Sequence, residues 1–439
     1  MDKEISALQM NNTWIITDLP KNQPLTASKW IFRIKLKSDG SIERYKARLV
    51  AKGFTQIEGI DYNETFAPIA KMTTVRWLLA VAAIRAWPIF QLDVDNAFLH
   101  GSLDEEVYMQ LPPGYFKTER AAGKVCKLTK NFYGLKQTPR QWFSKFTEVL
   151  LDFGFIQSLN DYSLFTLQEG AEFIILLVYV DDVLLIGLEV ARNSTGIFLH
   201  QRKCALDLLT EHDMVECKPA KTALPIKHQL SLSTAPLLKG RMPYRKLVGK
   251  LIYLTITRPD LSHYVHILSQ FMSAPTVDHL KAAKKLLRYI KQAPAQGLFF
   301  SASLKLALTA YCDADWAACP RTQRSTTGFY TLLGHSLISW KTKKQAIVSR
   351  SSAESKYRAM AAVCSEILWL MRLFSNMKAQ VPTPISLHCD NQAALHIAKN
   401  HVFHERTKHI ELNCHLIRHF INNHTIAAAY IPTTDQPID

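Results

Sequence analysis

Two carboxylates stand side by side in the most apolar part of the sequence. Asp181 and Asp182 follow the segment FIILLVYV (173–180) and precede VLLI (183–186). Neighbouring residues of a strand face opposite sides of a sheet, so this pair fits the tight turn of a hairpin better than the middle of a strand. Ionised carboxylates beside buried apolar flanks are costly unless they are paired or bind metal. The pattern therefore predicts either a metal site or a solvated Asp-Asp turn.

A second apolar segment also ends in acids. In PIFQLDVDNAFLHG (88–101), Asp93 and Asp95 share one face of an extended segment, and Phe98 follows at the start of a turn or helix. Carboxylates from two strand ends can hold two divalent ions, the arrangement that phosphoryl transfer uses to activate a 3′ hydroxyl and stabilise leaving pyrophosphate. This combination favours nucleotide chemistry over the solvated turn.

Positive charge is in excess throughout the chain. The 439 residues carry 53 Lys and Arg against 37 Asp and Glu, a formal net charge of +16. Such a balance favours a polyanionic partner, although a merely basic protein remains the alternative. One basic segment upstream of the acids contains Arg44, Lys46, Arg48 and Lys52. It could bind a triphosphate, or it could be an ordinary edge strand with solvated cations.

Four further acids are spread over the C-terminal third: Asp313, Glu354, Asp390 and Asp439. Together they suit a second two-metal site. Singly, each has a structural interpretation, because Glu354 fits the first turn of a helix and Asp390 fits a helix cap. Asp315, two residues after Asp313, is a lesser candidate on the same strand face.

Cysteine and histidine give no metal motif. The eight cysteines are scattered without a CxxC pair, which favours a reducing compartment. A polar cluster (His404, Glu405, Arg406, Lys408 and His409) lacks a third positioned ligand, so we expect a solvated or nucleic-acid-facing surface and assign no zinc. The apolar segment 173–187 is too short to span a bilayer and has two aspartates at its centre, so no membrane association is expected.

Changes of pattern divide the chain into three regions. Region 1–187 is α/β, with strands predicted at 29–36 and 45–54 and a helix at 75–84. Region 188–300 begins with a hairpin-like LEVARNSTGIFL and is then mostly helical, with basic faces that could follow a phosphate backbone. Region 301–439 returns to strands, then a helix and the strand ISLHCD, and is predicted to be a second α/β domain.

Several segments together resemble one family. In order and spacing they are similar to the reverse transcriptase of copia-type long-terminal-repeat retrotransposons: TWIITDLP, KWIFRIKLKSDGSIERYKARLVAKGFTQ, GIDYNETFAPIAK, QLDVDNAFLHG, YMQLPPGY, YGLKQTPRQWF and YVDD. The resemblance implies that Asp93, Asp181 and Asp182 are the polymerase metal ligands and that Phe98 excludes a ribose 2′-hydroxyl. It further implies that Lys46 and Arg48 face the incoming triphosphate, and that GLKQTP, with Gly134 and Gln137, contacts template and nucleotide.

The C-terminal segments resemble the ribonuclease H of the same elements: AYCDADWAACPRTQRSTTGFY, ISWKTKKQAIVSRSSAESKYRAM, LHCDNQAALHIAKN and HERTKHIELNCH. The resemblance implies catalytic roles for Asp313, Glu354, Asp390 and Asp439, with the first three as metal ligands. Lys356 stands where the family usually has an acid. A lysine beside Glu354 would favour the ionised carboxylate and compete with a divalent ion for it.

The family pattern also indicates missing parts. Gly187 is followed directly by Leu188, where family members run through a further helix and strand, so we expect an internal deletion. The chain stops at Asp439 inside the terminal motif, and protease and integrase regions are absent, so we expect a degenerate fragment of a Pol polyprotein. The alternatives are a non-catalytic nucleic-acid-binding remnant, or an active ribonuclease H joined to an inactive polymerase.

The resemblance implies a multidomain protein of α/β and α+β class. Right-hand fingers and palm occupy 1–187, a truncated palm-to-thumb and connection region 188–300, and a ribonuclease H-like mixed sheet 301–439. Implied ligands are two Mg²⁺ per site, RNA template, DNA primer, RNA–DNA hybrid and deoxynucleoside triphosphates. The implied location is intracellular, either cytoplasmic, in a virus-like particle of the parent element, or nuclear. Oligomeric state and host are not indicated.

Overall fold

The computed structural model describes residues 1–36, 41–92, 94, 97–114, 123–170, 172–178, 188–225, 230–303, 305–400 and 411–436. The helices are α1 Asp2–Met10, α2 Met72–Ile84, α3 Thr138–Asp152, α4 Arg202–Glu211, α5 Met242–Leu254, α6 Ser262–Ser269, α7 Val277–Gln292, α8 Ser352–Asn376, α9 Gln392–Lys399 and α10 Glu411–Asn422. The strands are β1 Trp14–Asp18, β2 Leu25–Thr26, β3 Ser28–Leu36, β4 Ile42–Ala51, β5 Tyr108–Gln110, β6 Lys124–Leu128, β7 Ile156–Gln157, β8 Leu164–Glu169, β9 Glu172–Leu177, β10 Glu189–Asn193, β11 Gly196–His200, β12 Gly297–Ser301, β13 Leu308–Asp315, β14 Thr326–Leu333, β15 Ser336–Lys344, β16 Ile385–Cys389 and β17 Ile426–Tyr430.

The chain forms two compact units with boundaries different from the predicted ones. The first contains 1–70 and 90–184, and the second contains 71–89 and 185–439. Helix α2 therefore belongs with the C-terminal residues, although its sequence lies inside the region predicted as fingers and palm. The three-part division at 187/188 and 300/301 stays a prediction.

The first unit is built from small sheets with a shared apolar core. One sheet has the strand order β1-β6-β5-β2, and β3 pairs with β4 in a long antiparallel ribbon. Alternating side chains send Leu49 and Ala51 into the core beside Met109 and Cys126, all of which are at most 3% exposed. The strand predicted at 29–36 is confirmed as β3. The one predicted at 45–54 corresponds to β4, which ends at Ala51 because a 3-10 turn forms at Gly53–Thr55.

The second unit contains a helical cluster. Helices α4, α5, α6 and α7 pack their apolar stripes together, with Leu247, Leu251, Leu286 and Ile290 fully buried. Helix α7 keeps its lysines on the opposite side, as its three-and-four residue spacing predicted. The predicted hairpin is β10–β11, where Asn193 Oδ1 accepts hydrogen bonds from the backbone of Thr195 and Gly196.

A mixed sheet dominates the rest of this unit. Its strand order is β15-β14-β13-β16-β17: β13, β14 and β15 are antiparallel neighbours, whereas β16 runs parallel to both β13 and β17. Helix α8, which is 25 residues long, packs against β13 and β14. Mixed α/β content is thus confirmed. Among the described residues, no helix is long and apolar enough to cross a membrane.

A buried arginine joins α2 to this sheet. The β14–β15 register shifts after Thr331 and leaves Ile338 without a strand partner, as an extra residue in a bulge does. Arg76 Nη1 donates a 2.7 Å hydrogen bond to the Ile338 carbonyl, and its guanidinium lies 3.8 Å from the centroid of the Trp340 ring. Arg76 therefore satisfies a carbonyl that the ladder leaves unpaired.

We expect Arg76→Ala to lower the free energy of unfolding of the second unit by about 2–4 kcal/mol, because it strands the Ile338 carbonyl and removes the stacking on Trp340. Urea denaturation followed by circular dichroism measures the loss. Arg85→Ala, at the exposed end of the same helix, is the matched control and should change stability by less than about 1 kcal/mol. Equal losses in both variants would contradict the role assigned to Arg76.

Candidate functional site

The predicted polymerase carboxylates lie outside the described residues. Asp93, Asp181, Asp182 and the neighbouring Asp95 belong to the gaps at 93, 95–96 and 179–187, and Asp439 belongs to the final gap. The polar cluster at 404–409 is also outside. Their roles stay predictions.

The β3–β4 ribbon carries a one-sided basic face. Directly opposite residues of an antiparallel pair share a face, and the register pairs Ile31 with Arg48, Arg33 with Lys46, and Lys35 with Arg44. Lys29, opposite Val50, continues the same face. We call this surface the basic ribbon face: Lys29, Arg33, Lys35, Arg44, Lys46 and Arg48. The predicted triphosphate residues Lys46 and Arg48 are therefore part of a larger cationic surface.

An aromatic residue links two predicted substrate residues. The Arg48 guanidinium lies 4.1 Å from the centroid of the Tyr133 ring. The Phe98 ring approaches the same Tyr133 ring edge-on, with 5.5 Å between centroids. The first contact is a cation–π interaction and the second is an edge-to-face aromatic interaction, and both are attractive. The structure thus brings Arg48 and Phe98 together through Tyr133, which the sequence analysis did not single out.

Gly134 and Gln137 support this cluster from within. Gly134 has φ +95°, and a Cβ there would lie 2.2 Å from the Ala51 carbonyl oxygen, so only glycine fits against β4. Gln137 is fully buried: its Oε1 accepts a 3.1 Å hydrogen bond from Gln56, and its Nε2 donates to the Asp61 carbonyl. Both positions shape the fold here, while their predicted contacts with template and nucleotide stay predictions.

Strand register creates a carboxylate site at one edge of the mixed sheet. Parallel β13 and β16 pair Cys312 with Cys389, so the residues that follow, Asp313 within β13 and Asp390 just after β16, reach the same edge. Their side chains are only 10% and 5% exposed. Two carboxylates this enclosed require compensation by positive charge.

Lys356, on the first turns of α8, provides that charge. Its Nζ lies 2.7 Å from Asp313 Oδ1 and 2.5 Å from Asp390 Oδ2. Desolvation opposes the charged form of Lys356, but the two aspartates outweigh it and raise the pKa of Lys356 above its ordinary value. The ammonium is thus an internal counter-ion for both carboxylates.

Glu354 has different partners. Its backbone N–H donates to Ser351 Oγ, the cap of α8, and its Oε2 accepts a 2.8 Å hydrogen bond from the backbone of Arg350. Its Oε1 accepts hydrogen bonds of 3.0 and 2.9 Å from the Arg358 guanidinium one turn later. The interpretation of Glu354 as a first-turn acid is confirmed. The helix cap after β16 is Asn391 rather than Asp390, because the Asn391 side chain accepts from the Ala394 N–H.

The end of the described chain packs on the same edge. Thr433 Oγ1 donates a 3.1 Å hydrogen bond to Asp390 Oδ2, and Gln436 Nε2 donates to the Cys312 carbonyl. The lesser candidate Asp315 lies on β13, where desolvation and the charge of Asp313 raise its pKa. The terminal segment therefore belongs to the surroundings of the site.

These residues do not fit a resident divalent ion. Asp313 and Asp390 share one ammonium, and Glu354 is held by a guanidinium and a backbone amide. Within the described ranges, no three His, Cys, Asp or Glu side chains are grouped closely enough to hold a metal. The metal roles of Asp313, Glu354 and Asp390 stay predictions that this arrangement does not support.

Comparisons with known proteins place the chain in a family. A family model described as reverse transcriptase (RNA-dependent DNA polymerase) matches residues 11–197. The retrovirus-related Pol polyprotein from transposon RE1 of Arabidopsis thaliana is 42% identical over all of this chain and 32% of that protein. The putative transposon Ty5-1 protein YCL074W of Saccharomyces cerevisiae is 31% identical over 63% of this chain and 100% of that protein. The chain belongs to the copia-type retrotransposon Pol family.

The copia-type chain covers only part of its longer relatives. It spans about a third of the RE1 polyprotein, and the match extends over 470 positions, more than the 439 residues present here. RE1 therefore has positions without a counterpart in this chain, and the deletion after Gly187 stays a prediction. The foamy viral protease-reverse transcriptase dRH in complex with double-stranded DNA is 12% identical over 98% of this chain and 69% of that chain, with TM-score 0.46.

Lys356 corrects one expectation drawn from the copia-type pattern. Its charge was expected to act on Glu354, two residues away, but it acts on Asp313 and Asp390 instead. Residues two apart on a helix point in different directions, whereas Glu354 and Arg358, four apart, meet. The i,i+4 pair was readable from the sequence, but the contact of Lys356 with two strand ends depends on how α8 packs on β13.

We expect Gly134→Ala to destabilise the first unit by about 2–4 kcal/mol, because the added Cβ meets the Ala51 carbonyl and the positive φ strains any L side chain. Gly170→Ala is the control: its φ is +57° but nothing lies within 4 Å of the added Cβ. That variant should lose only about 1 kcal/mol, from backbone strain alone. Chemical denaturation separates them, and similar losses would rule out the steric contact.

Proposed function

We propose that this chain binds primed templates and RNA–DNA hybrids as the reverse transcriptase part of a copia-type Pol polyprotein, and adds deoxynucleotides to a primer. The observation that carries the proposal is the basic ribbon face. Six cations on one side of a two-stranded ribbon form a surface for phosphates, and Arg48 is held at its inner end by Tyr133 beside Phe98.

The proposed chemistry takes place at Asp93, Asp181 and Asp182. Reverse transcriptases generally use divalent metal ions, and we propose that these three carboxylates hold two Mg²⁺, which would activate the primer hydroxyl and neutralise the triphosphate. The chain's own part in nucleotide binding is electrostatic: Lys46 and Arg48 would position the triphosphate, and Phe98 would limit the space beside the sugar.

The proposed layout assigns fingers and palm to 1–187, a palm-to-thumb and connection region to 188–300, and a ribonuclease H-like domain to 301–439. The mixed sheet with Asp313 and Asp390 at one edge supports the last assignment. We further propose an intracellular location, in a virus-like particle or in the nucleus.

Binding is tested by neutralising the basic ribbon face. Arg33→Ala with Lys46→Ala should weaken binding of a fluorescent RNA–DNA hybrid and reduce the slope of log K against log salt by about 2, one for each lost phosphate contact. Lys145→Ala removes an exposed cation that is paired with Glu148 on α3, and it should leave the slope unchanged. Identical slopes for all three proteins would contradict binding through this face.

Synthesis is tested with the full chain, Mg²⁺, deoxynucleotides and a labelled primer on an RNA template. Extension should be lost in Asp181→Asn, and Arg48→Ala should raise KM for deoxynucleotide about tenfold because it removes a charge-assisted contact with the triphosphate. A folded chain that binds the hybrid but extends nothing would contradict the polymerase proposal. It would favour the alternative, a non-catalytic nucleic-acid-binding protein.

A further inference from the structure

We propose that the Lys356 ammonium takes the place of a divalent ion between Asp313 and Asp390, so that the carboxylate edge of the mixed sheet binds no catalytic metal and leaves the RNA strand of a hybrid uncut. The inference rests on the ribonuclease H-like assignment proposed above. It concerns this chain in particular, because it depends on the Lys356 side chain and its two carboxylate contacts.

The first support is geometric. Lys356 Nζ lies 2.7 Å from Asp313 Oδ1 and 2.5 Å from Asp390 Oδ2, so a single nitrogen bridges the two carboxylates. The space between them, where a bridging cation would be bound, is filled by the ammonium. The Lys356 side chain is only 15% exposed, so it is enclosed by the site and does not extend into solvent.

The second support is the orientation of Glu354. A divalent ion at this edge would need a further protein oxygen, and Glu354 is the nearest acid on α8. Both of its oxygens already accept hydrogen bonds, one from Arg358 and the other from the Arg350 amide. Recruiting Glu354 would break an ion pair whose carboxylate side chain is only 6% exposed.

The third support is the local charge. Asp313, Asp390 and Glu354 carry three negative charges. Lys356 is paired with the two aspartates, and Arg358 is paired with Glu354. A divalent ion would therefore meet carboxylates that already have cationic partners, and a facing ammonium, in place of three available carboxylates. Repulsion between like charges at such short range strongly disfavours its binding.

The test measures Mn²⁺ binding by isothermal titration calorimetry. The full chain carries Asp181→Asn and Asp182→Asn as the parent background, which removes metal binding by the predicted polymerase carboxylates. We expect Lys356→Glu to bind one Mn²⁺ per chain that the parent does not bind, with a Kd at least tenfold lower than that of any weak binding measured in the parent. Lys356→Gln, which removes the charge without adding a ligand, should fall between them.

Lys399→Glu is the matched control. Lys399 is exposed at the end of α9, so this variant makes the same change of charge within the same sheet-and-helix unit, and its Mn²⁺ binding should equal that of the parent. An equal gain from Lys399→Glu and Lys356→Glu would show that net charge alone attracts the ion, which would overturn the proposal.

Two further readouts separate folding from metal binding. Mn²⁺ should raise the Tm of Lys356→Glu by several degrees and leave the Tm of the parent unchanged, as expected for a ligand that binds only the folded variant. With a hybrid whose RNA strand is labelled, cleavage should appear in Lys356→Glu, be lost on adding Asp313→Asn, and be absent from the parent.

The proposal is overturned if the parent binds Mn²⁺ and Asp313→Asn weakens that binding more than tenfold, because Asp313 would then be a metal ligand in the presence of Lys356. It is equally overturned if folded Lys356→Glu binds Mn²⁺ no more tightly than the parent. If Lys356→Glu does not fold, the proposal is tested only by comparing Mn²⁺ binding of the parent with that of the parent carrying Asp313→Asn. Failure of hybrid binding or of primer extension would contradict the proposed function, whereas the Mn²⁺ titration needs no nucleic acid.

Discussion

The parallel pairing of β13 with β16 is the constraint on which the C-terminal site depends. Hydrogen bonding along the two strands brings Cys312 beside Cys389, and the residue after each is an aspartate. The backbone thus forces two negative charges together at a nearly buried edge, and the surrounding structure must compensate them. Lys356 on α8 and Thr433 after β17 both meet that requirement, the first with its ammonium and the second with its hydroxyl.

Local structure was largely readable from the sequence. The alternation in 29–36 and 45–54, the apolar spacing of α5 and α7, and the acid in the first turn of α8 reflect periodicities that act over a few residues. The motifs that resemble copia-type reverse transcriptase likewise carried enough information to indicate the family. The basic ribbon face could also have been found, because basic residues alternate along both strands.

Contacts between distant elements were not readable. The partners of Lys356 depend on the angle at which α8 crosses β13, and no spacing in the sequence encodes that angle. Arg76 shows the same limit. In the sequence it is a lone cation in a strongly apolar helix, with no indication of its partner. In the structure it donates to the Ile338 carbonyl, which a bulge in β15 leaves unpaired. Tyr133 was overlooked for the same reason, since it joins Arg48 to Phe98 only after β4 and the loop before α3 have packed together.

A lysine attached to the backbone differs from an ion in solution in one respect. Lys356 is carried to Asp313 and Asp390 by the folding of α8, so its effective concentration at the carboxylates is set by the chain and does not vary with the ionic composition of the medium. A free cation has to lose translational freedom each time it binds, whereas the attached ammonium has already done so when the helix packs. The carboxylate edge consequently carries its own counter-ion wherever α8 is folded, whatever cations the medium contains.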